Sequence, residues 1–166
     1  GDGARAGRIQ DVPARRGLVH WPGDAANASR ILFGAGDWIH AVNPKTGESL
    51  RQFGDGGRAP IPTGATASGA IYRHVFVTAG VNGDIYGFDV RTGKTLWRFH
   101  SIARGEEFGA ETWDGPQAGA NGWSGLSLDD DRGIAFVALG APRPDMVGVG
   151  RLGDNLFSNC VLAIES

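Results

Sequence analysis

The sequence predicts an all-β protein, a partial β-propeller of about three four-stranded blades. Two observations support this. The 166 residues include 28 glycines, 8 prolines and 5 tryptophans, a composition typical of many short strands joined by tight turns. The chain also repeats itself with a period of about 45 residues, which is typical of propeller blades. Hydrophobic residues make up 41% of the chain, enough for a core, so disorder is not expected.

The first two repeats are the clearest. Residues 30–54 match residues 74–100, since each segment holds an apolar strand, a small-residue turn, a second strand, a Thr-Gly pair and a third strand. In the second repeat, Gly93 can take a positive φ angle without steric cost, and the side chains of Asp89 and Thr92 can bind turn amides. We therefore expect a tight hairpin turn at Gly93.

A third repeat begins at Gly133 with an apolar strand. A long loop at residues 141–154 interrupts it, and it resumes at Cys160. Helical repeats of similar period would need longer segments of 3.6-residue periodicity, which the sequence lacks. The third repeat is therefore predicted to be an incomplete blade.

Charge and apolar runs exclude several classes of function. The formal net charge of −2, with both signs interspersed, argues against a nucleic acid partner. No apolar run approaches the ~20 residues that a membrane-spanning helix needs. Residues 1–16 are not predicted to be a signal peptide, because no apolar stretch follows their arginines. The histidines lack metal-ligand spacing and are expected to be structural.

One motif then suggests a family. The pattern Gly87-x-Asp89-x-x-x-Gly93-x-x-x-Trp97 resembles the tryptophan-docking motif of propellers that bind pyrroloquinoline quinone (PQQ). Further stretches that resemble the same family lie at residues 97–113, 119–125, 132–134, 142–145 and 151–157. From about residue 16 to residue 165 the chain is identified as the central segment of the β-propeller of a PQQ-dependent (quinoprotein) glucose or alcohol dehydrogenase.

The resemblance implies an eight-bladed propeller that holds PQQ, usually with calcium, and oxidises a sugar or alcohol hydroxyl in the periplasm. Eight blades need far more than 166 residues, so this chain alone is expected to be incomplete and inactive. Its predicted parts are an N-terminal extended segment or loop (1–29), a first blade repeat (30–57), a second blade repeat (66–100), connecting loops with a cofactor-facing strand (101–132) and an incomplete third repeat (133–166).

Two residues are predicted to bind the cofactor. Trp123 occupies the position of a family tryptophan against which the planar quinone stacks, and a flat aromatic face suits such a ring system. Asn121, two residues earlier and expected on the same strand face, matches a position that hydrogen-bonds the cofactor. The alternatives are that Trp123 is an ordinary core aromatic of a blade and that Asn121 is a turn residue after Gly119.

The chain differs from the family at two positions that coordinate calcium in the relatives. A glutamate that coordinates calcium in the relatives has no counterpart in the loop at residues 78–83, and Ala141 replaces an asparagine ligand. The aspartate that acts as general base in the relatives lies at a position beyond the one where this chain ends. The cluster Glu106, Glu107 and Glu111 could bind a cation but is more often a solvated loop. No catalytic residue and no metal ligand is therefore predicted here, and calcium binding is in doubt.

The sequence is compatible with two functions. The first is part of a PQQ-dependent oxidoreductase acting on a small hydroxylated substrate, and the alternative is a non-catalytic PQQ-like propeller segment that serves as a protein-binding scaffold. Because an open propeller arc leaves blade faces and strand edges uncovered, the isolated chain is expected to form homo-oligomers or to associate with the missing blades.

Overall fold

A computed structural model describes residues 17–65, 67–115 and 117–166. The described residues form three antiparallel sheets and no α-helix, which confirms the predicted all-β propeller class. The strands are Val19–Trp21 (β1), Arg30–Ala35 (β2), Trp38–Val42 (β3), Arg58–Pro60 (β4), Ala70–Tyr72 (β5), Val75–Gly80 (β6), Gly83–Asp89 (β7), Thr95–Phe99 (β8), Leu126–Asp129 (β9), Ile134–Ala138 (β10) and Val161–Glu165 (β11). Residues 1–16 of the predicted N-terminal segment lie outside the described part of the chain.

The first sheet has the order β1-β2-β3-β4. Its first strand, β1, lies within residues 1–29, which were predicted to be an N-terminal extended segment or loop. It belongs to the first sheet because Val19 pairs with Leu32 of β2. The strand expected after Thr46 does not form in this repeat, and the chain instead turns through glycines with positive φ at Gly54, Gly56 and Gly57. The fourth strand is β4, which comes after these glycines.

The second sheet, β5-β6-β7-β8, has the predicted hairpin turn. Gly93 has a φ of 75° and donates its N–H to the Asp89 carbonyl oxygen. Every residue of β6 and β7 is buried, because this sheet lies between the other two. Alternate side chains therefore face opposite neighbours: Phe76 and Phe88 pack toward the first sheet, whereas Val77 and Ile85 pack toward the third.

The third sheet has three strands in the order β11-β10-β9, so the described part of the chain holds one strand fewer here than in each of the other sheets. Its first strand, β9, lies within residues that the sequence assigned to the connecting segment. Only one face of β10 is covered, since Ala135 and Val137 are buried against the second sheet while Phe136 remains 38% exposed.

The three sheets are arranged as consecutive blades. The first strand of the middle sheet, β5, contacts both β1 and β9, the first strands of its neighbours. Strands nearest a common axis converge in this way, whereas the outer strand β8 has largely exposed side chains. Among the described residues, no helix is long and apolar enough to cross a bilayer.

Candidate functional site

A surface pocket of about 340 Å³ opens where β6 and β10 end and just ahead of β9. Three different segments of the chain meet at this end of the second and third sheets. The lining residues are Val81, Gly119, Asn121, Trp123, Ala141, Arg143 and Asp145. Both residues predicted from sequence to bind a cofactor are therefore in one pocket.

The pocket floor is held by main-chain hydrogen bonds between residues 118–121 and 140–143. The Ala120 N–H donates to Ala141 O (3.1 Å), the Gly140 N–H donates to Asn121 O (2.9 Å), and the Arg143 N–H donates to Ala118 O (2.8 Å). These hydrogen bonds fix the backbone of residues 118–121 and 140–143, although neither segment is part of a sheet. The expectation that Asn121 lies on a β-strand is wrong. Residues 120–122 do not form a strand despite these hydrogen bonds, and a turn begins at Trp123.

Trp123 is 50% exposed, so it is not the ordinary core aromatic that was the alternative interpretation. One edge of its indole lies over Gly140: a Cβ atom added to Gly140 would be 2.9 Å from Trp123 Nε1 and 3.0 Å from Cδ1. Only glycine at this position leaves room for the ring. The close approach seats the indole against the floor while half of its surface stays open to solvent.

Asn121 links the pocket floor to the turn between β6 and β7. Its Nδ2 group donates a hydrogen bond of 2.7 Å to Val81 O. An amide side chain has a second donor hydrogen and a carbonyl acceptor, so hydrogen-bonding capacity remains for a ligand. Asn121 therefore joins residues 118–121 to the turn between β6 and β7 through its side chain.

Behind the pocket, a buried carboxylate ties β7 to the segment that leads into the floor. Asp84 is 1% exposed, and its Oδ2 accepts hydrogen bonds from Arg98, at Nε (2.9 Å) and at Nη2, and from Arg104 Nη2 (3.2 Å). Burial is the largest single influence on Arg98 and opposes its charge, but the hydrogen bond to Asp84 and the nearby negative charges, chiefly that of Asp84, together outweigh it and raise the pKa of Arg98. The Asp84 N–H also binds Ser101 Oγ at 2.9 Å. These contacts fix the path of the chain after β8.

The predicted solvated acidic loop is engaged in local contacts. Glu107 pairs with His100 Nδ1 at 2.8 Å and accepts the Arg104 N–H, and the hydrogen bond to His100 is the main reason that the pKa of Glu107 is lowered. In the described part of the chain, no three His, Cys, Asp or Glu side chains come together as a metal site. Among the described residues that line the pocket, Asp145 is the one with a carboxylate.

Arg143 and Asp145 were not predicted from the sequence as pocket residues. Both belong to residues 142–145, which the sequence identified only as part of a long loop with family resemblance. Nothing in the local pattern indicates that this loop returns to residues 118–120. The structure shows this return through an isolated β-bridge between Gly119 and Pro142.

Two curated proteins are similar to this chain in sequence. At 25% identity, a quinohemoprotein alcohol dehydrogenase (ADH-IIG) of Pseudomonas putida aligns with 99% of this chain and 25% of its own length. Subunit 1 of a methanol dehydrogenase from Methylorubrum extorquens is also 25% identical, over 98% of this chain and 30% of its own length. The chain thus spans under a third of the length of either relative.

The fold is likewise that of a solved structure. The quinohemoprotein alcohol dehydrogenase of Comamonas testosteroni superimposes with a TM-score of 0.69 over 92% of this chain and 25% of its own, at 20% identity. Residues 3–166 match the family described as the β-propeller domain of PQQ-dependent glucose, ethanol and alcohol dehydrogenases. The chain therefore belongs to the PQQ-dependent dehydrogenase β-propeller family.

Proposed function

We propose that this chain is a segment of a PQQ-dependent dehydrogenase that oxidises a sugar or alcohol hydroxyl, and that it supplies part of the cofactor pocket. The observation that supports this most directly is the joint presence of Trp123 and Asn121 in one pocket, where the Trp123 side chain is 50% exposed. When bound, PQQ supplies the redox chemistry by accepting electrons from the substrate carbon.

The residues present fit a planar quinone. The half-exposed Trp123 ring offers a flat surface, and stacking on such a ring contributes about 0.5–1.5 kcal/mol beyond burial of area. Asn121 offers polar contacts at the edge of the same floor, held in place by Val81 O. In this proposal Trp123 orients the quinone plane and Asn121 fixes its rotation within that plane.

The described residues of the pocket suit a calcium ion less well than they suit a planar quinone. A hard cation of this kind takes 6–8 oxygen ligands, mostly carboxylates and carbonyls. The lining residues that the structure describes offer the single carboxylate of Asp145, and Ala141 has no side-chain oxygen. No step is therefore assigned to calcium in this segment. A periplasmic location is proposed on the family resemblance alone.

The test of the proposal is equilibrium binding of PQQ to the purified chain, followed by tryptophan fluorescence quenching and by calorimetry. We expect saturable binding that Trp123→Ala weakens by about 3- to 10-fold, the equivalent of one stacking contact. Gly140→Ala should weaken binding in the same direction, because the new Cβ displaces the indole from its seat.

Trp38→Ala is the matched control, because Trp38 is on the first sheet, stacks on Arg58 at 4.2 Å and is absent from the pocket lining. It should leave the affinity for PQQ unchanged. Saturable binding that is equally strong in the Trp123→Ala variant would contradict the assigned role of Trp123. Absence of PQQ binding would contradict the proposed function and favour the alternative of a protein-binding scaffold.

A further inference from the structure

The pocket contains a cation that the sequence did not predict. Arg143 lines it together with Trp123 and Asn121, and its side chain is exposed to solvent. An arginine guanidinium stays protonated at any ordinary pH and presents a planar fork of N–H donors. That fork matches the geometry of a carboxylate and can bind it through two parallel hydrogen bonds.

The backbone around Arg143 is anchored on both sides. Its own N–H donates to Ala118 O at 2.8 Å, and the carbonyl of the next residue, Pro144, accepts a hydrogen bond of 3.3 Å from Arg151 Nη2. Arg151 is in turn held by Asn155, a 4% exposed side chain, through a hydrogen bond of 3.2 Å to Oδ1. The start of the Arg143 side chain is therefore fixed at the pocket edge although its tip reaches solvent.

We propose that the Arg143 guanidinium binds a carboxylate of the planar quinone that stacks on Trp123, and so provides in this pocket the positive charge for an anionic aromatic ligand. The inference rests on the proposed function, since PQQ is a tricyclic o-quinone that carries carboxylates. Two features of the pocket favour it: an aromatic ring and a cation belong to one lining, and Asp145 is the only acidic residue among the described residues of that lining.

Asp145 provides a second test, because its negative charge should affect the binding of an anionic ligand in the opposite direction from the positive charge of Arg143. A carboxylate in the same lining repels an anionic ligand, so removal of its charge should strengthen the binding that removal of the Arg143 charge weakens. Neither change should alter the affinity for a flat quinone that has no charge. This pattern of opposite and absent effects separates an electrostatic role from a general effect on the fold.

The experiment measures the dissociation constants of PQQ and of neutral phenanthrenequinone for the purified chain in the presence of EDTA. For PQQ, Arg143→Gln should weaken binding by about 10- to 100-fold, the range for a hydrogen-bonded charge pair, and Asp145→Asn should tighten it. Arg143→Lys, which keeps the charge and loses the fork, should give a smaller loss. Phenanthrenequinone should bind all of these variants equally.

Arg132→Gln is the charge-matched control, because Arg132 pairs with Asp129 at the turn between β9 and β10 and is absent from the pocket lining. Its affinity for PQQ should equal that of the unsubstituted chain. Equal binding of PQQ by the Arg143→Gln variant, or equal losses for both quinones, would overturn the assignment of Arg143 alone. A requirement for added calcium would also overturn it, whereas failure of the unsubstituted chain to bind PQQ with or without calcium would overturn the proposed function as well.

Discussion

At the scale of single residues, Asp89 shows how one side chain organises a turn. Its Oδ1 accepts the N–H groups of Arg91 and Thr92, both at 2.9 Å, and its Oδ2 pairs with Arg91 Nη2 at 2.7 Å. Burial opposes the charge, but these hydrogen bonds outweigh it and lower the pKa of Asp89 to about 2. In the first repeat Asn43 holds the equivalent turn through its Oδ1, which accepts the Lys45 N–H at 2.8 Å.

Asp89→Asn therefore makes the second turn resemble the first and removes the charge while an oxygen acceptor remains. We expect the free energy of unfolding at pH 7 to fall by about 2 kcal/mol at most, from the lowered pKa. Because the folded-state pKa is depressed, this contribution is complete above pH ~4 and is lost as the pH falls toward 2. Urea unfolding at pH 7, 4 and 3 measures it, with the exposed Asp55→Asn as control. If the free energies of unfolding of the unsubstituted chain and the Asp89→Asn variant differed as much at pH 3 as at pH 7, the electrostatic cause would be contradicted.

At the scale of elements, Arg30 connects two sheets. It belongs to β2, is 0% exposed, and donates from Nη1 to Val90 O (3.0 Å) and to Arg91 O (2.8 Å) at the end of β7. Its guanidinium also stacks on the ring of Trp21 at 5.1 Å. A buried arginine of this kind satisfies carbonyls that no strand partner reaches, so it joins the first sheet to the second through polar contacts beside their apolar core.

Arg30→Ala should lower the free energy of unfolding by about 2–4 kcal/mol, because it leaves both carbonyl oxygens without a partner and opens a cavity beside Trp21. Arg30→Lys should lose less, since an ammonium can reach one of the carbonyls. Chemical denaturation monitored by circular dichroism gives the values, and Arg132→Ala on the surface serves as the comparison. A loss below 0.5 kcal/mol, the ordinary size of a surface change, would show that water replaces these bonds.

At the scale of the whole molecule, the consecutive sheets leave an apolar surface on the third one. On the face of β10 and β11 turned away from the second sheet, Phe136 is 38% and Val161 is 69% exposed, and Ala138 and Ala163 are exposed between them. The equivalent face of the second sheet is covered by its neighbour. A blade face of this kind is a surface on which another sheet can pack.

We therefore expect the purified chain to self-associate at micromolar concentration through this face. Phe136→Glu should shift sedimentation toward the monomer without loss of β-structure, because the side chain is partly exposed in the single chain. Leu96→Glu is the control, since Leu96 is 44% exposed on the outer strand β8. A monomeric unsubstituted chain, or an assembly that Leu96→Glu disrupts and Phe136→Glu does not, would contradict the prediction.

The sequence by itself determined the features that depend on neighbours along the chain. Strand repeats follow from apolar patterning, and the turn at Gly93 follows from a glycine that can take positive φ beside Asp89. The family resemblance then predicted Trp123 and Asn121 as cofactor contacts, and the structure has both in one pocket. The first repeat shows where local patterning fails, because the glycines around Gly56 turn the chain where a strand was expected.

Only the tertiary structure decided which distant residues meet. Arg143 reaches the pocket because residues 140–143 pair with residues 118–121, and Arg30 reaches Val90 because two sheets stack at one particular offset. Such contacts depend on the paths of intervening loops and on the packing of buried side chains between sheets. Neither leaves a periodic signal in the sequence, which is the physical reason that the charged half of the pocket became visible only in three dimensions.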